Sequence, residues 1–178
     1  MTNLAASYAI ELLNAGHDRA SFSSGAAALD IYFRERATQD VRRRAGVVYV
    51  LVHRQTRVAA GFYTLANTSI ELSAIPPAIA RKLPRYPLVP ATLLGRLAVD
   101  LRHQKKGLGE FLLADAMKRT LKASKETASF ALVVDAKDEN ATAFYVKFGF
   151  VGLPDTPRRL FLPLDTLQAA IPPENPAC

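Results

Sequence analysis

The stretch GRLAVDLRHQKKGLGEFLLADAMKR, residues 95–119, joins an apolar run, a polar loop and an amphipathic run without interruption. The apolar run Thr92–Val99 predicts a strand. Beyond the loop, apolar residues recur every four positions, which predicts a long helix from about Leu108 to Ser124. A strand that leads through a short loop into a helix can bind an anion at the start of that helix.

The loop itself carries the pattern Gln104-x-x-Gly107-x-Gly109. Glycines let the backbone turn tightly and approach a ligand without a Cβ in the way. The start of the helix presents unpaired N–H groups and the positive end of its dipole to an anion. Lys105 and Lys106 add positive charge at the same place. The loop is therefore predicted to hold a pyrophosphate.

Two other phosphate-binding motifs do not fit this loop. No G-x-x-x-x-G-K-[ST] sequence is present, which excludes the P-loop. The dinucleotide-binding fingerprint needs a third spaced glycine, whereas Glu110 and Phe111 follow Gly109 and start the helix. A glycine pair also occurs in ordinary turns, so the sequence around the loop has to support the assignment.

Strand and helix patterns alternate along the rest of the chain in the order β-α-β-β-(α)-β-α-β-α-β-β. Pro84, Pro87 and Pro90 are expected to prevent regular structure and to hold an extended basic segment. The predicted strands are Tyr8–Leu13, Gly46–His53, Val58–Leu65, Thr92–Val99 and Phe130–Val134, with a last hairpin of Phe150–Val151 and Leu160–Leu162; the predicted helices are Ala26–Arg44, Pro76–Leu83, Leu108–Ser124 and Asn140–Phe148.

One α/β domain accounts for this order, because no internal repeat and no linker of domain size is visible. We assign residues 1–164 to that domain. Residues 165–178 contain Pro172, Pro173 and Pro176 and are predicted to form a flexible tail.

The composition indicates which kinds of partner and which cellular compartment to expect. A net charge of +7 favours phosphate-bearing partners such as nucleic acid or a nucleotide coenzyme, although a basic chain can also simply be more soluble. Cys178 is the only cysteine, so neither an intrachain disulfide nor a cysteine metal cage can form, and no metal is expected. No signal peptide and no membrane span are visible, which predicts a cytoplasmic protein without a membrane partner.

The loop resembles motif A of the GNAT N-acetyltransferases, whose pattern Q/R-x-x-G-x-G/A follows a strand and is filled here completely. The resemblance implies the GNAT fold, an α/β fold with a mixed central sheet of about six to seven strands flanked by about four helices. It also implies acetyl-CoA as co-substrate, held by the loop, by the preceding strand and by a later helix. The implied acetyl-CoA-binding residues are Leu97, Ala98, Val99, Gln104, Lys105, Lys106, Gly107, Leu108, Gly109, Glu110, Asn140 and Phe144.

The same resemblance makes Tyr145 the candidate catalytic acid for the departing thiolate. A phenol has a reference pKa of about 10, so it still holds its proton at neutral pH. The alternative is a core aromatic, because Phe144 and Phe148 lie on the same short helix. Helical spacing turns these two rings by about 100° from Tyr145, so the three need not share a face.

Many GNAT enzymes use a glutamate in the central strands as general base, but the strand before the loop contains no glutamate. The strand before the loop ends in Asp100, and His53 and His103 are more typical of surface or loop histidines. The absence favours an acceptor amine that is already partly neutral, such as the α-amino group of an aminoacyl ester.

Outside the loop, the chain resembles the TacT-like GNAT toxins of bacterial toxin–antitoxin modules. The matching stretches are HDRASFSSGAAALDIYF (17–33), GFYTL (61–65), LLGRLAVD (93–100) and VVDAKDENATAFYVKFGF (133–150). The resemblance implies acetylation of aminoacyl-tRNA, which blocks translation, a ribbon-helix-helix antitoxin, operator DNA bound through the antitoxin complex, and a homodimer. The group often has glycine where Lys105 stands, and this difference affects the flexibility of the loop rather than its function.

Basic clusters agree with a tRNA substrate. Each cluster alone is more typical of a solvated face, but together, with few acids nearby, they favour a phosphate track. The predicted tRNA-binding residues are Arg42, Arg43, Arg44, Arg81, Lys82, Arg85, Arg96, Arg158 and Arg159.

Two other functions remain open at this point. The chain could be a GNAT enzyme that acetylates a small amine or a protein N-terminus. It could also be a binding module, in which the coenzyme is structural and the chain serves a DNA-binding repressor complex.

Overall fold

A computed structural model describes residues 3–171 and contains a seven-stranded mixed sheet in the order β1-β2-β3-β4-β5-β7-β6. No helix among these residues is long and apolar enough to cross a membrane. The strands are β1 Tyr8–Leu12, β2 Val47–His53, β3 Ala59–Glu71, β4 Leu88–Val99, β5 Ala131–Asp135, β6 Val151–Leu153 and β7 Thr156–Pro163. The helices are α1 Leu4–Ser7, α2 Ala27–Ile31, a π-helical turn Tyr32–Arg36, α3 Ala37–Arg42, α4 Pro77–Ala80, α5 Leu108–Ala123, α6 Glu139–Lys147 and α7 Leu164–Ala170, with 3₁₀ turns at Leu72–Ala74 and Leu101–His103.

The predicted architecture, a mixed sheet of six to seven strands flanked by helices, is confirmed, and the four predicted helices are all present. Two short helices, α1 and α7, add to them. The second covers the start of the predicted tail, where Leu164 and Leu167 are buried. Pro172, Pro173 and Pro176 lie outside the described residues. The division into a domain and a tail stays a prediction.

The proline-rich segment differs from the expectation. Strand β4 already begins at Leu88, four residues before the predicted start, and contains Pro90. Proline has no N–H to donate, but its carbonyl can still accept a bond from a neighbour. The N–H of Phe130 donates to the Pro90 carbonyl at 2.8 Å. The expectation that all three prolines prevent regular structure is therefore wrong for Pro90.

The chain forms two compact units. The first comprises the described residues up to Ala66 together with Leu94–Ala116. Its core is a group of stacked rings, in which Phe33 and Phe62 lie 4.3 Å apart between centroids and Phe22 meets Phe33 edge-on at 4.8 Å. Burial of large apolar side chains contributes about 1.5–3 kcal/mol each. This cluster fixes the helical segment from α2 to α3 against β2 and β3.

The second unit comprises Asn67–Leu93 together with the described residues from Met117 onward. Strand β7 pairs antiparallel with β5 and with β6, which confirms the predicted last hairpin. Val89, Val133 and Phe161 belong to its buried core. An open cavity of about 790 Å³ lies in this unit, and Arg81 and Arg85 are among its lining residues.

Candidate active site

The loop that follows β4 is anchored by a buried carboxylate, Asp100, whose side chain is 1% exposed. Asp100 caps the 3₁₀ turn by accepting from the Arg102 N–H at 2.9 Å, and it also accepts from the Ser23 N–H at 3.1 Å. The Arg102 guanidinium pairs with it at 2.8 Å. Burial raises the pKa of Asp100, but the hydrogen bonds from Arg102 and Ser23 outweigh burial and hold it at about 2. Asp100 is thus an ionised anchor and cannot accept a proton at neutral pH.

Gln104 ties the loop to two separate segments. Its side-chain amide donates to the Val99 carbonyl at the end of β4 and to the Ser24 carbonyl, both at 3.0 Å. Since both N–H donors of the amide bind backbone carbonyls, the Gln104 side chain stabilises the shape of the loop.

Two residues of the loop adopt the left-handed conformation, Lys105 with φ +62° and Gly107 with φ +78°. Glycine adopts this region without cost, whereas a residue with a Cβ is strained there. The sequence signal for the turn was therefore correct at Gly107, and the lysine in place of a glycine carries strain. A Cβ at Gly107 would lie 3.9 Å from the Leu4 side chain of α1. Buried Leu108 then starts α5.

The end of β4 lies unusually close to β3 within the first unit. A Cβ at Gly61 would come within 2.9 Å of the Ala98 carbonyl oxygen and 3.1 Å of the Leu112 side chain. Such contacts exclude any larger residue unless the backbone moves. Leu97 and Val99, on either side of Ala98, are half-buried. Gly61 lies in the stretch GFYTL but could not be recognised from the sequence, because a close approach between two strands leaves no local signal.

Tyr145 lies on α6 in the second unit and is 9% exposed. Its ring meets Phe144 and Phe150 edge-on, with centroids 5.2 and 5.4 Å away. Burial raises the pKa of the Tyr145 phenol to about 12. Tyr145 therefore packs among aromatic rings and keeps its phenolic proton at neutral pH, and its role as the catalytic acid stays a prediction.

The other two predicted residues of this helix differ in exposure. Asn140 is exposed in the first turn of α6, and Phe144 is half-buried. Asp138, which is not among the predicted site residues, caps this helix by accepting from the Ala141 N–H at 2.8 Å. The pattern Asp-x-x-Ala before an apolar run is a recognisable N-cap signal.

His53 and His103, the two histidines considered as candidate bases, both lie in the first unit beside Tyr8. Nδ1 of His103 lies 2.9 Å from the hydroxyl of buried Tyr8, and burial lowers the pKa of His103, as does nearby Lys106. His53 packs beside the same tyrosine, with ring centroids 5.2 Å apart. Its Nδ1 lies 3.1 Å from the Thr56 hydroxyl. Both rings are half-buried and have structural partners.

The predicted tRNA-binding residues are divided between the units. Arg42, Arg43 and Arg44 are exposed where α3 ends, and Arg96 lies on β4 within the first unit. Arg81, Lys82 and Arg85 are exposed in the second unit. Arg158 and Arg159 also belong to the second unit.

The expectation of few nearby acids is wrong for Arg158 and Arg159. Arg158 pairs with Glu139 at 3.5 Å, and Arg159 pairs with Asp135 at 3.1 Å. The ion pair between Asp135 and Arg159 arises because these two residues face each other across β5 and β7. These two cations are thus partly neutralised before any substrate arrives.

Residues 90–159 match the family model of the acetyltransferase (GNAT) domain. The tRNA-acetylating toxin of Mycobacterium tuberculosis (strain ATCC 25618 / H37Rv) is 39% identical over 154 residues, which cover 86% of this chain and 90% of the toxin.

Two solved structures resemble the whole described fold. A tyrosine-to-phenylalanine variant of KacT superposes with a TM-score of 0.87 at 30% identity, covering 93% of this chain and 99% of KacT. AtaT complexed with acetyl-methionyl-tRNAfMet gives 0.86 at 30% identity, covering 92% of this chain and 98% of AtaT. The chain therefore belongs to the family of tRNA-acetylating GNAT toxins.

Proposed function

We propose that this chain transfers the acetyl group of acetyl-CoA to the α-amino group of aminoacyl-tRNA and thereby blocks translation. The observation that carries the proposal is the anchored loop Gln104–Gly109, with its left-handed residues immediately before α5. Membership of the tRNA-acetylating toxin family supports the choice of acceptor. The alternatives, a small amine or a protein N-terminus, use the same loop and have to be separated by experiment.

Acetyl-CoA is the proposed co-substrate, and the loop is suited to its pyrophosphate. Backbone N–H groups at the start of α5, together with Lys105 and Lys106, provide positive potential for the phosphates. We assign the pantetheine and the thioester to the backbone of Leu97–Val99, and assign further contacts to Leu108, Gly109, Glu110, Asn140 and Phe144. AtaT has been solved with acetyl-CoA bound, which supports the same co-substrate here.

Tyr145 is the proposed general acid, because its raised pKa keeps the phenol protonated at any physiological pH. The amine attacks the thioester carbon as the free base, and the C–S bond then breaks as the phenol protonates the departing thiolate. The nitrogen of the new amide loses one proton, which returns to the phenolate and restores the acid. Asp100 is ionised and fully hydrogen-bonded, so it does not serve as base. An aminoacyl ester needs no strong base, since its electron-withdrawing ester already lowers the pKa of the amine.

The arginine clusters are the proposed contacts to tRNA phosphates. The uncompensated arginines at the end of α3 and those around the cavity of the second unit are expected to contribute more than the paired Arg158 and Arg159. Each phosphate contact that is lost reduces the slope of log affinity against log salt concentration by about one.

The remaining partners follow from the family. A ribbon-helix-helix antitoxin, operator DNA bound through the antitoxin complex, and a homodimer are proposed, with the cytoplasm as the compartment where charged tRNA is found. Support comes from AtaT solved with the C-terminus of the antitoxin AtaR and from a KacTA–DNA complex.

The deciding experiment offers labelled acetyl-CoA to charged tRNA, deacylated tRNA, polyamines and peptides. Label is expected on charged tRNA alone, and mild alkali should release it as N-acetyl-amino acid. Preferential labelling of a polyamine or a peptide would overturn the proposed acceptor.

Replacement of the proposed acid tests its role separately. Tyr145→Phe is expected to lower kcat at least ~100-fold, because the thiolate then leaves without its proton, while the dissociation constant of acetyl-CoA is unchanged. Tyr86→Phe removes the hydroxyl of a tyrosine that is 70% exposed and serves as the matched control. In the wild type, kcat should show no descending limb up to pH 10, since the pKa of Tyr145 is about 12. Normal turnover by Tyr145→Phe would refute the assignment.

A further inference from the structure

The guanidinium of Arg96 lies over the ring of Tyr32, with its carbon 3.6 Å from the ring centroid. Arg96 is half-buried on β4, next to Leu97. Among residues 3–171, no carboxylate pairs with this guanidinium within 4.0 Å. A half-buried cation with its face covered and no paired anion has its in-plane N–H donors available for a ligand.

The ring beneath Arg96, that of Tyr32, is itself buried and packed. Tyr32 is 5% exposed, stacks on Phe62 with centroids 6.1 Å apart, and has the Asp40 carboxylate near its hydroxyl. Burial and the Asp40 carboxylate raise the pKa of Tyr32 to about 12, so the ring stays neutral. Arg96 therefore rests on a fixed, uncharged surface rather than on a mobile side chain.

A π-helical turn, Tyr32–Arg36, places this ring in the helical segment. Two arginines brace the turn. Arg19 donates to the Phe33 carbonyl and, at 2.8 Å, to the Thr38 hydroxyl, and Arg34 donates to the Phe22 carbonyl at 2.9 Å. Single π turns in α-helices are frequent at functional sites. The motif HDRASF thus contributes to holding the platform under Arg96.

We propose that Arg96 binds a phosphodiester oxyanion near the 3′ end of the acceptor tRNA, and that Tyr32 is a positioning residue that orients its guanidinium for this contact. The inference rests on the proposed function. A planar guanidinium with one free edge matches an oxyanion that offers two acceptor oxygens. On an aminoacyl-tRNA, phosphodiesters are the anions that present such a pair.

Loss of Arg96 and loss of Tyr32 should raise the KM for charged tRNA to different extents. Losing the guanidinium, as in Arg96→Met, should raise the KM for charged tRNA ~10- to 100-fold, because a charge-assisted hydrogen-bonded contact disappears. Arg96→Lys keeps the positive charge but loses the pair of parallel N–H donors, so its KM for charged tRNA should lie between those of the wild type and Arg96→Met. Tyr32→Leu should raise the same KM by only ~2- to 5-fold through loss of the platform. The KM for acetyl-CoA should remain unchanged in all three.

The test combines these variants in a cycle. The double variant Tyr32→Leu/Arg96→Met should bind charged tRNA no worse than Arg96→Met alone, because the platform acts only through the arginine. Additive losses, or a change in the KM for acetyl-CoA, would mean that Tyr32 is merely structural. Tyr32→Phe keeps the buried ring and should stay within 2-fold of the wild type. If Tyr32→Leu does not fold, equal affinity of Arg96→Met and the wild type for an uncharged acceptor-stem minihelix overturns the proposal.

Failure of the inference differs from failure of the proposed function. If the wild type does not acetylate charged tRNA, the proposed function is wrong. If it does, and the Arg96 variants leave the KM for tRNA and the minihelix affinity unchanged, only the inference is wrong.

Discussion

Replacement of Gly61 by alanine is expected to displace the end of β4 and to lower both stability and coenzyme affinity. The added Cβ would lie 2.9 Å from the Ala98 carbonyl oxygen, whereas nine in ten real Cβ contacts are longer than 3.4 Å. A second clash, at 3.1 Å, involves the Leu112 side chain, which is fully buried. Strand and helix therefore have to move together, by about half an ångström at the carbonyl.

The energetic cost of this displacement follows from what can move. A flexible side-chain end could swing aside, but a backbone carbonyl within a sheet cannot do so alone. Forcing extra volume into a packed core typically costs about 1–3 kcal/mol, so we expect the free energy of unfolding to fall by about 2 kcal/mol. Since the Ala98 backbone is assigned to acetyl-CoA, the dissociation constant for acetyl-CoA should also rise by about 10-fold.

Urea unfolding and calorimetric titration with acetyl-CoA measure these two effects. Gly152→Ala is the matched control, because a Cβ at Gly152 meets nothing within 4 Å. Equal stability of the two alanine variants, with unchanged acetyl-CoA affinity, would show that β3 and β4 tolerate the added methyl group. The reasoning from close approach would then be refuted.

Two further predictions concern the loop. Asp100→Asn should lower the free energy of unfolding by about 2 kcal/mol at pH 7: the folded pKa of about 2 lies below the unfolded value near 3.8, so this contribution is present above pH 3.8 and is lost as the pH falls toward 2. Unfolding curves from pH 2 to 7 check this, and an equal difference between variant and wild type at both ends would contradict it. Lys105→Gly should raise the free energy of unfolding by up to about 1 kcal/mol, because glycine relieves the left-handed φ of +62°, and a loss of stability on thermal denaturation would contradict this.

Most of the fold could be predicted from periodicity, because strands and helices are encoded locally. The loop at Gly107 could be predicted for the same reason, since a left-handed turn before a helix needs glycine at one position. The start of β4 could not be predicted, because it depends on a hydrogen bond from the Phe130 N–H to the Pro90 carbonyl, and these residues are forty positions apart. Propensity rules treat proline as a breaker and do not consider the partner strand.

Apart from the local cap at Asp138, the parts of the candidate site that escaped prediction depend on contacts between residues far apart in the sequence. Asp100 was visible as the last residue of a strand, but its role as an anchor needs the Ser23 N–H. The ion pair between Asp135 and Arg159 needs the register of β5 against β7. The tyrosine under Arg96 needs a π-helical turn that shifts the ordinary helical spacing. Sequence patterns identify such residues but not their partners.

The anchoring of the loop has a consequence for the time at which the chain acquires its shape during synthesis. Gln104 and Ser24 are 80 positions apart, and Asp100 and Ser23 are 77 apart. The ribosome must therefore release both segments before the loop can close. At about 5–20 residues per second, this takes on the order of 5–20 s after initiation. The ribosome that makes this chain thus completes more than half of it before the nascent protein can hold the loop in its final form.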